Sequence, residues 1–267
     1  MERKERETII KVITAITFLV MVTVNGLANS LPINGVSTGQ ISDSFPNLFA
    51  PAGLTFAIWG VIYLLLAGYT LYQLGVFRDD TSAMRTELLS RTGVLFSISS
   101  VANAAWIFAW HYYMVSLSML LMIVILVCLI LINQRMKDES FSQREYFFIR
   151  LPFSVYFGWI TVATIANATI LLVSIGWKGF GLAEATWAVI MISAGLVIAV
   201  AMMIKNKDIA YGLVIVWAYA GIILKHTSSE GFAGQYPAVI TTTMVCIFLL
   251  LLAEAYILRS ARKRPAV

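Results

Sequence analysis

The 267-residue chain is 60% hydrophobic and only 12% charged, about half the charged fraction of an ordinary soluble domain, which excludes a water-soluble globular fold. Its net charge of +5 sits mostly in the connections between apolar runs, so it reads as a topology signal and requires no nucleic-acid partner. The two cysteines, Cys128 and Cys246, both lie inside apolar runs and read as small buried residues, which excludes a disulfide framework and a metal site built on them.

Eight apolar runs are long enough to cross a bilayer, at about 20 residues each. They fall at about 8–30, 53–77, 92–111, 114–134, 147–174, 184–204, 208–225 and 236–258, and predict an all-α integral membrane protein with eight transmembrane helices. The first run follows a basic start, and Ala28-Asn29-Ser30 could serve a signal peptidase. The run is longer than a signal core, however, and is read as an uncleaved span.

The connection from Leu31 to Pro51 is rich in Gly, Ser, Asn and Pro and carries one charge, Asp43. Connections longer than about 12–15 residues usually serve a function, and a lid over a membrane cavity is one such use. The connections "FRDDTSAMRTELLSR" and "NQRMKDESFSQRE" are short, charged, solvated turns. No Gly/Ser-rich or Pro-rich linker divides the chain, which predicts one membrane domain. With eight spans, every Lys and Arg except Lys178 and Lys225 falls on the side of the termini. The positive-inside rule therefore predicts both termini in the cytoplasm, and the expected location is a bacterial cell membrane.

Three spans carry aromatic faces. At about 100° per residue, "WITVATIAN" aligns Trp159, Ala163 and Asn167, with Pro152, Tyr156 and Ile170 on the same arc. Ala163 would let a neighbouring backbone or a ligand come close. In "FSISSVANAAWIFAW" one side holds Phe96, Ser99, Ser100, Asn103, Trp106 and Trp110. In "PAGLTFAIWGVIY" it holds Phe56, Trp59 and Tyr63. Asparagine within a span is unfavourable unless its amide finds partners, so Asn103 and Asn167 are expected to face inward. Those partners are either other helices, at about 0.6–2 kcal/mol per contact, or a ligand. Thr161 and Thr164 point elsewhere and are expected to bond their own backbone carbonyls. A later stretch, "WAYAGIILK", repeats the Trp-to-polar separation with Trp217, Gly221 and Lys225 and reads as chance or as small-residue helix packing.

Three motifs together resemble the TspO/MBR family of tryptophan-rich sensory proteins and translocator proteins. They are Trp159-x3-Ala163-Thr164-x2-Asn167, Asn103-x2-Trp106, and Pro51-x-Gly53-x2-Phe56 leading to Trp59-x3-Tyr63. They occur in the family's order across five spans, residues of about 8–174. The resemblance implies a five-helix bundle whose pocket binds porphyrins, haem or sterol-like molecules beneath the loop joining the first two helices. Porphyrin or haem would be a ligand, and no cofactor is required. Carried over by motif, Trp59, Tyr63, Trp106, Trp159, Ala163 and Asn167 line or border that pocket. The helical faces add Phe56, Asn103 and Tyr156, and Pro51 and Gly53 belong to the lid.

This chain has Ala52 where the family usually has a second proline and Leu54 where it has an aromatic residue. It is one residue short between Phe56 and Trp59, and its fifth-helix proline is displaced to Pro152. Residues 175–267 follow as three more spans packed on the 1–174 bundle. They would cover a face that short family members use for dimer contacts or lipid access, so the family's oligomeric state does not carry over directly. The expected partners are membrane lipids and a small hydrophobic ligand, with a homodimer as a further possibility.

The spans hold no deep carboxylate or base of the kind that ion-coupled transporters use. Arg150 and Glu254 lie near inner ends, Glu184 and Lys225 near outer ends, and all four are expected to snorkel. No metal-ligand cluster or nucleophile–base pair is present in the pattern. His111 and His226 lie near outer ends, where either could ligate haem iron and Lys225 with His226 could attract a ligand carboxylate. The function expected is binding, sensing or carriage of a flat apolar ligand, without catalysis. The alternatives are a facilitator for a small metabolite, or an enzyme acting on a bound porphyrin or lipid.

Overall fold

The structure is a computed structural model that describes residues 2–31, 33–77 and 83–262. Among these residues there is no strand, and eight helices are long and apolar enough to cross a membrane. The first span is α1 (Glu2–Ser30). It leads into a connection holding the short α2 (Thr38–Asp43) and a 3₁₀ turn at Gly53–Ala57. That turn opens α3 (Ile58–Leu74), which ends at Gly75 with φ 106°, a left-handed C-cap that glycine adopts without strain. Then come α4 (Ala83–His111) and α5 (Val115–Met136).

A three-residue turn, α6 (Gln143–Glu145), is fixed by a capping box on Ser142. It continues through a π-helical turn at Tyr146–Arg150 into α7 (Leu151–Ser174). The last three spans are α8 (Glu184–Asn206), α9 (Ile209–Thr227) and α10 (Pro237–Arg262).

The first five spans close a ring. α1 touches α3 and α4, α4 touches α5, α5 touches α7, and α7 returns to α3. Tyr69, Phe96 and Phe153 fill part of its interior as a mutually edge-on triad, with centroids 4.7–5.6 Å apart. All three rings are buried, and such edge-on pairs contribute about 0.5–1.5 kcal/mol beyond their buried area. α8, α9 and α10 pack on one another, and α9 seats on α7. The seat is close because of Gly158: a methyl there would come within 2.8 Å of the Tyr211 carbonyl oxygen and 2.9 Å of Val214 Cβ, the small-residue approach that membrane helices favour.

Two of the four residues expected to snorkel do not. Arg150 turns into the protein, where its Nη2 meets Asp208 Oδ2 at 3.0 Å and its Nη1 donates to the Asn133 carbonyl at 3.3 Å. Ser154 Oγ donates to the same carboxylate oxygen at 2.6 Å. Asp208 also caps α9, its Oδ1 accepting from Tyr211 N at 3.1 Å. A cation with a buried counter-charge has no need of the interface. Glu254 is buried as well, its Oε1 against Gly212 and without a hydrogen-bond partner among the described residues. Glu184 is exposed, and Lys225 meets Asp43 at 3.1 Å.

A lidded aromatic cavity as the candidate functional site

The connection between α1 and α3 folds back over the helix ends and is tied down on both sides. On the α4 side, Trp110 Nε1 donates to the Thr38 carbonyl at 3.1 Å and Asn34 Nδ2 to the His111 carbonyl at 3.0 Å. Asn47 Oδ1 accepts from Phe49 N and Ala50 N at 3.1 and 2.9 Å, a side-chain-mimicked turn that leaves Leu48 and Phe49 buried.

On the other side the anchor is α9. Trp217 Nε1 donates to the Thr55 carbonyl at 2.9 Å, Ala52 N to the Gly221 carbonyl at 3.0 Å, and Lys225 pairs with Asp43. His226 Nε2 lies 2.9 Å from the Leu48 carbonyl. Trp217, Gly221 and Lys225 are four residues apart and share a helical face. "WAYAGIILK" is therefore the strip that holds the lid, a role beyond the plain helix packing its small residues predicted. Gly221 is required there, because any added methyl would overlap the Thr55 side chain. Gly221→Ala is expected to destabilise by about 1–3 kcal/mol through overpacking and to raise the protease sensitivity of residues 31–57. An unchanged cleavage rate would mean that α9 does not hold the lid.

Beneath the lid, between α1, α3 and α4, lies a cavity of about 570 Å³ whose walls include Asn25, Thr38, Phe56, Trp59, Tyr63 and Trp106. A smaller hollow of about 50 Å³ shares Thr38, Phe56, Trp59 and Trp106 and extends toward α7, where Pro51, Trp159, Ala163 and Asn167 line it. The rings interlock. Trp59 stacks on Tyr63 at 5.4 Å and stands edge-on to Tyr156 and Trp159 at 6.0 and 6.2 Å. Phe56 meets Trp159 at 5.7 Å, and Trp106 stacks on Trp110 at 5.2 Å.

The amides at this level are already engaged. Asn25 Nδ2 donates to Asn103 Oδ1 at 2.8 Å and Asn103 Nδ2 to Tyr156 Oη at 3.2 Å. Trp106 Nε1 donates to Asn167 Oδ1 at 3.0 Å, while Asn167 Nδ2 donates to Ser118 Oγ at 3.1 Å. Three polar atoms of wall residues are different: Trp159 Nε1, Tyr63 Oη and Thr38 Oγ1 are buried without a hydrogen-bond partner among the described residues. A buried polar group left unpaired is unfavourable by about 1–3 kcal/mol, which a ligand acceptor or donor brought into reach would offset.

The sequence-predicted residues divide accordingly. Phe56, Trp59, Tyr63 and Trp106 stand in the larger cavity's wall and Trp159, Ala163 and Asn167 in the smaller one's. Of the lid pair, Gly53 borders the first and Pro51 the second. Asn103 and Tyr156 are placed differently from expectation. Both are fully buried and line neither cavity, because each already serves the other as hydrogen-bond partner. Thr161 and Thr164 bond the Phe157 and Ile160 carbonyls, as their positions predicted. Neither His111 nor His226 reaches the cavity walls. His111 Nδ1 is held by the Ile107 carbonyl, and Lys225 and His226 hold the lid rather than a cavity mouth. Asn25 and Asn29 of α1 were missed, although their four-residue spacing marks one helical face and both border the larger cavity.

These elements define a multi-pass helical membrane protein with an aromatic cavity under a tethered lid. The family model described as TSPO-like protein matches residues 11–256, and the chain belongs to that family. The match runs past the end of α7 and into α10, so it takes in the last three spans, beyond the point where the motifs end. No curated protein and no solved structure matches the chain.

Proposed function

We propose that the protein binds a flat apolar molecule of the porphyrin, haem or sterol type in the lidded cavity and senses or carries it without changing it chemically. The volume falls within the range of small-molecule sites, about 300–1000 Å³. The carrying observation is the set of atoms unpartnered among the described residues, Trp159 Nε1, Tyr63 Oη and Thr38 Oγ1, on residues that wall a space lined by aromatic rings and by small and polar residues. That is the makeup of a site which packs a ring system and orients it by a few polar contacts. In this reading the termini lie in the cytoplasm of a bacterial cell and the lid on the opposite side of the membrane, which the excess of Lys and Arg on the terminal side supports.

The test is titration of purified protein with protoporphyrin, read by tryptophan quenching. Trp159→Phe keeps the ring and removes the donor. It is expected to weaken binding by about 2–10-fold, the worth of one hydrogen bond. Equal affinity would remove Trp159 from the site.

The cavity also has an exposed flank. Gly26 on α1 and Gly60 on α3 both border it and are exposed, and a side chain added at either meets nothing within 4 Å. We read this gap as the entry route from the bilayer. Gly26→Leu with Gly60→Leu is expected to slow protoporphyrin association by about tenfold with the melting temperature unchanged, followed by stopped-flow quenching. An unaltered association rate would place entry elsewhere.

A further inference from the structure

A second cavity lies on the other side of lid residues 46–49. It has a volume of about 320 Å³ and is walled by Leu48 and Phe49 of the lid, Leu172 of α7, and Trp177, Trp187 and Met191. None of these residues borders the lidded cavity or its inner extension. The lid segment is the partition: residues 46–49 face this space, while Pro51 borders the inner hollow.

The wall is built for its place. The 175–183 connection turns through four left-handed residues, Gly176, Gly179, Phe180 and Gly181, and Phe180 is an unfavourable residue for that conformation. The turn lays Trp177 against Trp187 at 4.7 Å. Trp187 Nε1 donates to the Gly179 carbonyl at 2.7 Å, and any side chain at Gly179 would strike the Trp187 ring. Phe180 is left 86% exposed, as aromatic residues are at a membrane–water interface. Two opposite charges border the same cavity, Lys178 and Glu184. Both are exposed, and neither has an ion-pair partner among the described residues.

An apolar slot with aromatic walls, opening at interface depth beside one unpaired cation and one unpaired anion, complements a molecule with a chain and a zwitterionic head. We propose that this cavity binds a zwitterionic phospholipid from the leaflet on the side away from the termini. Its phosphate meets Lys178, its ammonium meets Glu184, and the upper part of one acyl chain lies between Leu172, Trp187 and the lid residues Leu48 and Phe49. The bound lipid forms part of the support of the lid segment and occupies a site separate from the lidded cavity.

The test uses the full chain, purified in detergent and offered equal amounts of phosphatidylethanolamine and phosphatidylglycerol, with retained lipid counted by native mass spectrometry. Wild-type protein is expected to keep one phosphatidylethanolamine in preference to phosphatidylglycerol by about fivefold, the worth of one interfacial charge contact. Lys178→Glu is expected to abolish that preference, and Lys178→Glu with Glu184→Lys to restore it. Both positions are exposed, so neither change threatens the fold. Trp159→Phe is expected to leave retention as in wild type, whatever it does to protoporphyrin. Undiminished preference in Lys178→Glu, no recovery in the exchanged pair, or loss of the lipid in Trp159→Phe would each overturn the proposal.

Discussion

Asp208→Asn is expected to destabilise the protein by about 3–5 kcal/mol, although the change replaces one atom and keeps the cap. Asparagine serves an N-cap about as well as aspartate, so α9 still begins where it does. What is lost is the counter-charge of Arg150, whose guanidinium has only 8% of its side chain exposed. An unpaired buried cation is far less favourable than the pair is favourable. The second change separates these effects: Arg150→Met fills a similar volume without charge, and the double variant should return to within about 1 kcal/mol of wild type. Thermal unfolding of the three variants in one detergent measures the cycle. If Asp208→Asn alone unfolds like wild type, or if the double variant is no better than the single, the pair is not what joins α7 to the α8–α10 group.

Arg150 does not snorkel because its counter-charge, Asp208, comes from a distant segment. Signals that depend on one segment survive in the sequence: a span is a run of about 20 apolar residues, and the stripe of Trp159, Ala163 and Asn167 is a period of one helix. All eight spans and three aromatic faces were legible on that basis. Contacts between distant segments leave no local mark. Asp208 is 58 residues from Arg150, Asn25 is 78 from Asn103, and Trp217 is 162 from the lid carbonyl it holds.

Periodicity also gives direction without depth. It placed Tyr156 on the same arc as Trp159, but only packing shows that Tyr156 lies behind Trp59, bonded to Asn103, while Trp159 borders the hollow. The "WAYAGIILK" strip shows the same limit. Its small residue and its tryptophan were read as helix packing, whereas Gly221 is small because the lid crosses it. α9 does for the lid what no residue of the first five spans could do from that side, so the last three spans bear on the site without lining it.

That arrangement makes Trp59 the most sensitive wall residue. It touches Tyr63, Tyr156 and Trp159, borders both hollows, and joins the aromatic floor to the lid turn. Trp59→Ala removes the largest single face from a bound ring system and opens the two hollows into one. Loss of such an anchor typically costs about 2 kcal/mol or more of binding free energy, so protoporphyrin affinity is expected to fall by about 30-fold or more. Trp59→Phe keeps an aromatic face against Trp159 and should stay within about fivefold of wild type. Because Trp59 is only half-buried, the bundle should tolerate both changes, and the melting temperature of each variant reports whether it does. A folded Trp59→Ala protein that binds protoporphyrin as tightly as wild type would show that the ligand does not sit between these rings.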